Sequence, residues 1–104
     1  MMFPKPTVWR SRKYLDYVKS LPCCVCQFPA DDPHHEQAEG QGGIGTRPSD
    51  ERTLPLCRVH HDMRQHGSQG RMIWAWWEVD PEAAILDTQA AWYAKFKSRP
   101  WLAP

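Results

Sequence analysis

The 104-residue chain has no run approaching the roughly 20 apolar residues that a membrane-spanning helix needs. Its first ten residues, MMFPKPTVWR, lack the apolar stretch of a secretory signal, so a cytoplasmic location is expected. Charge of one sign does not dominate either. The formal net charge is +1, so the protein as a whole is no polycation. Leucine, isoleucine and valine are scarce, and six tryptophans carry much of the apolar bulk. Internal repeats and low-complexity blocks are missing. A single modest domain covering 1–104 is therefore expected, and ten prolines and six glycines imply long irregular connections within it. A domain of this kind often depends on a metal to hold its loops.

Against these absences stand an uneven charge distribution and a cluster of cysteines and histidines. Residues 1–20 hold Lys5, Arg10, Arg12, Lys13 and Lys19 against Asp16 alone, a local charge of +4. Arg47, Arg52, Arg58, Arg64 and Arg71 then recur through the middle of the chain. A local basic face can meet a phosphate backbone without a high overall pI. From charge alone, an ordinary solvated surface is an equal reading.

The pattern of elements is legible in outline. SRKYLDYVKSL has Ser11 as N-cap and Tyr14, Leu15, Val18 and Leu21 at helical spacing, with Pro22 as the stop. PCCVCQFPADDPHHE reads as a tight cysteine turn followed by an extended segment, and EGQGGIGTRPSDE as a loop. RTLPL is a short strand, and from Cys57 the pattern turns helical as far as His66, before Gly67 and Gly70. RMIWAWWEV is a short apolar helix. Asp80 as N-cap and Pro81 at the first helical position open the last helix, expected over 80–99 and ended by Pro100. Its inward face is expected to carry Ile85, Gln89, Trp92 and Phe96. The chain thus divides into a basic N-terminal segment and helix (1–20), a middle rich in cysteine and histidine (21–78) and the C-terminal helix.

Cys23 and Cys26 form a C-x2-C pair, and Cys57 and His60 form a C-x2-H pair 31 residues on from Cys26. Two turns with this spacing can each present two ligands to one ion, and Cys3His is an ordinary structural zinc set. Cys24 stands at the wrong spacing and reads as a packing residue. The alternative, buried cysteines acting as small hydrophobes, leaves the matched spacing of the two pairs unexplained. Thiol redox chemistry at Cys23 and Cys26 would need both thiols free, which the second pair argues against. This zinc leaves four histidines unused. His61 points about 100° away from His60 on a helix, and His34 and His35 point to opposite faces of an extended segment. One of that second pair can then bind a metal while the other takes a proton. Two adjacent surface histidines are the bland alternative.

HHE, a glycine-rich loop and LPLCRVHH, in a chain with an upstream C-x2-C, together resemble the HNH endonucleases, whose core is the ββα-metal finger. The run GQGGIGTRPSDERTLPLCRVHHDMRQHG is closest to the phage-borne recombination-enhancement nucleases of the Ref type, which work with the RecA filament. The resemblance covers about residues 21–78. It implies an α+β fold: a small ββα-metal finger with a structural zinc knuckle, flanked by an N-terminal helix and C-terminal helices. It also implies a division of labour. His35 would be the general base, while His34 and His61 would ligate a catalytic divalent ion (Mg2+, Mn2+, Ni2+ or Zn2+). His66 is the available third ligand, although it follows His61 by five residues rather than the family's four, and position 65 is glutamine. Either the helix loosens before Gly67, or Asp62 or water takes that place. The family's middle asparagine, which orients the base, has no counterpart, because the chain contains no asparagine. Arg52 or Glu51 occupies its usual distance from the cysteine, and Asp50 matches the P-x-D of the closer group. Asp50 is expected to hold His35, since a carboxylate on the second imidazole N–H fixes the tautomer and raises basicity. Its alternative role is to cap the turn after Pro48.

These parts suit phosphodiester hydrolysis. A histidine with pKa near 6.5 can take a proton from water at neutral pH, and a divalent ion stabilises charge on the phosphate and leaving oxygen. Arg47, Arg52 and Arg58 are expected at the phosphate, extended by Arg64 and Arg71. The tryptophans at 74, 76 and 77 are expected mainly in the core, with base stacking as the lesser role. The resemblance therefore implies a metal-dependent, largely sequence-nonspecific DNA endonuclease in a bacterial host cell, acting on single- or double-stranded DNA, with a RecA-type filament as partner and no membrane association. The rival is a non-catalytic zinc module that docks DNA or a recombination protein.

Overall fold

Ser11 has extended backbone and its side chain accepts the N–H of Tyr14, so the first helix, α1 (Arg12–Lys19), starts where the cap dictates. Tyr14 and Val18 are its buried residues, one helical turn apart. The computed structural model of the protein describes residues 8–38 and 47–102. Most of the glycine-rich loop, Gly40 to Gly45, and Lys5 of the basic segment lie outside these residues.

After α1 the chain makes the cysteine turn, closed by a bridge between Pro22 and Pro29. Gln27 adopts a positive φ of 68° there, and its N–H returns to the carbonyl of Cys23. Two short antiparallel strands follow, β1 (Asp32–His35) and β2 (Thr53–Leu56), in the register Asp32 with Leu56 and His35 with Thr53. Pro33 faces Pro55 across this hairpin. Two residues without N–H groups are tolerated there because the Pro55 carbonyl points out of the pair, accepting the N–H of Cys24. That bond ties the cysteine turn to β2. All four residues of β2 are buried, since α1 and the two longer helices that follow all pack on the hairpin.

Cys57 caps the second helix, α2 (Arg58–His66). A 3₁₀ turn at Gly70–Met72 leads into the short α3 (Ile73–Trp76). The last helix, α4 (Pro81–Phe96), opens as the sequence predicts, with the Asp80 side chain accepting the N–H of Glu82. It stops earlier than expected, at Phe96 and not 99, because Lys97 turns left-handed and its N–H closes on the Tyr93 carbonyl. A 3₁₀ turn, Pro100–Leu102, follows. The buried face of α4 is Ala84, Ile85, Thr88 and Trp92; Gln89 is only half-buried and donates to the Glu51 carbonyl. The architecture is α+β, a two-stranded sheet with helices around it, and no described helix is long and apolar enough to cross a membrane.

Two apolar clusters hold these elements. One gathers Cys23, Leu54, Leu56, Cys57, Trp74, Ala84 and Ile85 around the hairpin and the cysteine turn. The other is almost wholly aromatic: Tyr14, Val18 and Trp92 are buried, with Trp9, Tyr17, Phe96 and Trp101 packed on them. Its rings meet edge-on or tilted at centroid distances of 4.1–5.9 Å, as ring quadrupoles favour. Of the three central tryptophans, Trp74 is in the core, Trp77 is half-buried and Trp76 is exposed. Truncating Trp92 to alanine is expected to cost about 3–5 kcal/mol in urea unfolding. Leu86→Ala, on the exposed side of α4, should stay within about 0.5 kcal/mol of wild type.

Candidate functional site

The cysteine turn and the start of α2 bring Cys23, Cys26, Cys57 and His60 together, with one ligand atom from each within 4.8 Å of the others. Cys26 Sγ lies 3.8 Å from Cys57 Sγ, and His60 Nδ1 lies 3.1 Å from Cys57 Sγ and 3.9 Å from Cys23 Sγ. A tetrahedral zinc at ordinary bond lengths spaces sulfur and nitrogen donors roughly 3.5–3.8 Å apart, so these residues fit such an ion, with His60 ligating through Nδ1. The Val25 N–H points at Cys23 Sγ, 3.4 Å away, a donor that would stabilise thiolate charge. Trp77 stands perpendicular to the His60 ring at 5.2 Å and walls the site. Cys24 is outside the set. Burial pushes its thiol up to about 12, which suits a packing residue.

On the other side of His60, the next residue enters a different environment. An open cleft of about 380 Å³ is lined by His34, His35 and His61, with Arg47, Arg64 and Arg71 among the remaining walls. Each of the three imidazoles has one nitrogen on a carboxylate. His35 Nε2 lies 2.8 Å from Asp50 Oδ1, His34 Nε2 lies 2.7 Å from Glu36 Oε1, and His61 Nδ1 lies 3.1 Å from Asp32 Oδ2. Burial lowers the pKa of both His34 and His35 despite these partners, which favours the neutral ring in each.

Asp50 is buried and supported from a distant part of the chain. Its Oδ2 accepts the Ser11 N–H at 2.8 Å, and Arg10 donates to its Oδ1 at 3.0 Å. The segment before α1 reaches it because Trp9 and Ser49 exchange hydrogen bonds and the Asp50 N–H bonds the Trp9 carbonyl. Burial works against the carboxylate, but the bonds from His35, Ser11 and Arg10 outweigh it and lower its pKa. Glu36 is 1% exposed. Burial would raise its carboxyl, yet His34 and a two-pronged Arg64 hold it at about 2.

The structure thus brings His34, His35, Asp50, His61 and Arg47 to one region, together with Arg64 and Arg71. It does not bring the other expected members there. α2 stays helical through His66, so five residues carry that side chain about 140° around the axis from His61. His66 is exposed and does not line the cleft; Gln65, about 40° from His61, does. Among the described residues only the Cys3His set brings three or more donors together. Arg52 is a strut: it forks onto Glu82 at 3.1 and 2.6 Å and donates to the Glu36 carbonyl. Arg58 is exposed and pairs with Asp32. Neither arginine lines the cleft. Sequence reasoning gave no role to Asp32 or Glu36, and the signal available was alternation: D-x-H-x-E at period two puts Asp32, His34 and Glu36 on one face of an extended chain.

A family model described as "Protein of unknown function (DUF968)" matches residues 1–74. Over 62 residues the chain is 52% identical to the "Uncharacterized protein YdfU" of Escherichia coli (strain K12). That match covers 60% of this chain and 18% of the relative, so the chain spans less than a fifth of the relative's length. No solved structure matches it.

The Cys3His site makes its own prediction. Purified protein should carry one tightly held zinc per chain by elemental analysis, and a strong chelator should unfold it. Cys57→Ser should lose that zinc and most of its thermal stability, whereas Cys24→Ser should keep the zinc. Full zinc content in the Cys57 variant would remove Cys57 from the ligand set.

Proposed function

The chain belongs to the DUF968 family, whose description assigns no activity, and we propose from its own geometry that it is a metal-dependent DNA endonuclease built on a ββα-metal finger. The observation that carries this reading is the His35–Asp50 pair at 2.8 Å, bordering a cleft that also holds His34, His61 and three arginines. The chain order of hairpin, then α2, supports the finger, and the Cys3His set supports the knuckle at its base.

Asp50, kept ionised, can only accept, so His35 donates from Nε2 and Nδ1 carries the lone pair. In the proposed reaction Nδ1 takes a proton from water as its oxygen attacks phosphorus. The bond from phosphorus to the 3′-oxygen then breaks, and that oxygen takes a proton from solvent. His34 and His61 would hold the divalent ion. His34 Nδ1 is buried with no partner among the described residues, and the two ring centroids lie 5.1 Å apart, close to the roughly 5 Å for two imidazoles sharing one tetrahedral ion. The ion supplies Lewis-acid stabilisation of charge on the phosphate and the leaving oxygen. Arg47 and the exposed Arg71 would face the strand's phosphates, while Arg64 stays on Glu36, giving salt-sensitive binding with little sequence preference. A bacterial recombinase filament of the RecA type is the proposed setting.

The absence of a third donor beside His34 and His61 among the described residues favours the rival, a zinc module that docks DNA without cutting it. A cleavage assay on single- and double-stranded DNA with Mg2+, Mn2+, Ni2+ or Zn2+, with and without a recombinase filament, decides between them. Wild type should cut, and His35→Ala should keep its zinc and fold while losing at least 100-fold in rate. Equal cutting by that variant would remove His35 as the base, and no cutting by wild type under any condition would leave the docking module.

A further inference from the structure

We propose that Asp32 and Glu36 are positioning residues that set the tautomers of His61 and His34, so that His34 offers Nδ1 and His61 offers Nε2 to one divalent ion. The inference rests on the ion site proposed above and adds which ring atoms bind and what aims them.

β1 supplies both devices through its period of two. Asp32, His34 and Glu36 alternate onto one face, while His35 turns the other way to Asp50. The alternation runs one residue past the strand because the Glu36 N–H still bonds the Arg52 carbonyl. α2 packs on β1 and brings His61 to Asp32 and against the His34 ring. Glu36 holds Arg64 with both oxygens at 3.1 and 3.0 Å and has Arg71 at 3.6 Å. Two guanidinium groups beside it keep it a carboxylate, which is an acceptor only. His34 must therefore donate from Nε2, and its lone pair lies on Nδ1, the buried nitrogen with no partner among the described residues. A purely structural ion pair would need only Glu36 and the arginines. On the other ring, Asp32 Oδ2 accepts from His61 Nδ1, so the lone pair lies on Nε2. Each imidazole is thereby held by one nitrogen and free at the other, the arrangement in which carboxylates orient histidine ligands.

Zinc-loaded protein, with no other ion, provides the test. Long-range proton–nitrogen correlation of the histidine rings should find His34 protonated at Nε2 and His61 at Nδ1. Ni2+ added to that protein should bind once by calorimetry, and His34→Ala should abolish the binding. Glu36→Gln should weaken Ni2+ about 10–100-fold and mix the His34 tautomers. Asp32→Asn should do the same through His61 and leave His34 unchanged. Asp32 is 20% exposed, so its variant stands as the second arm if Glu36→Gln loses zinc or fold. Binding by both folded variants within twofold of wild type, or the opposite tautomers in wild type, would overturn the positioning role while the ion site stood. Failure of wild type itself to take up Ni2+ would instead remove the ion site, and the positioning role with it.

Discussion

The turn from Cys57 to His61 joins the hairpin, the cysteine turn and the cleft. Cys57 leaves β2 and caps α2, and His60, three residues on, comes back beside the Cys57 sulfur. With Cys23 and Cys26 opposite, an ion held there would tie the start of α2 to the cysteine turn. Since that turn is also bonded to β2 through Cys24 and Pro55, the hairpin, the turn and the helix would form one stapled unit. His61 then has no freedom of its own. The helix that begins at the metal centre carries it, one residue past His60, into the cleft.

The cleft pays for its shape with buried charge. Glu36 and Asp50 are almost fully enclosed, and an enclosed carboxylate without partners would be strongly unfavourable. Each is offset by a histidine and at least one arginine. These partners are drawn from widely separated parts of the chain: Arg10 and Ser11 before α1 for Asp50, Arg64 on α2 for Glu36. The same bonds that make burial tolerable hold the imidazoles in fixed orientations. Stability and ring placement are one set of interactions, so removing Glu36 or Asp50 would disturb packing and chemistry together.

The aromatic cluster answers the shortage of aliphatic residues. Tyr14, Trp92 and the rings around them lock α1 against α4. Around the hairpin, two buried cysteines take places that leucine or valine would fill in a richer core. A small domain with this composition gains much of its rigidity from rings and from whatever the sulfurs bind.

Local spacing carries far in this chain. The caps at Ser11 and Asp80, the cysteine turn, the strand before Cys57 and the pairing of C-x2-C with C-x2-H are all written within a few residues, and short-range geometry is enough to read them. The opposition of His34 and His35, and of His60 and His61, is equally local, because strand and helix periods dictate it. What only the tertiary structure decided is which partner each side chain takes. Arg52, Arg58, Arg64 and Arg71 are the same residue type, yet the first two pair with Glu82 and Asp32 while the second two pair with Glu36 and so line the cleft. His66 missed the cleft by one residue of helical phase, a result settled by whether α2 stayed regular to its end. Glu36 and Asp50 became the buried centres of their networks because segments up to 40 residues away folded over them. Period and capping depend on neighbours in sequence, whereas charge partners depend on neighbours in space, and only the packed chain supplies those.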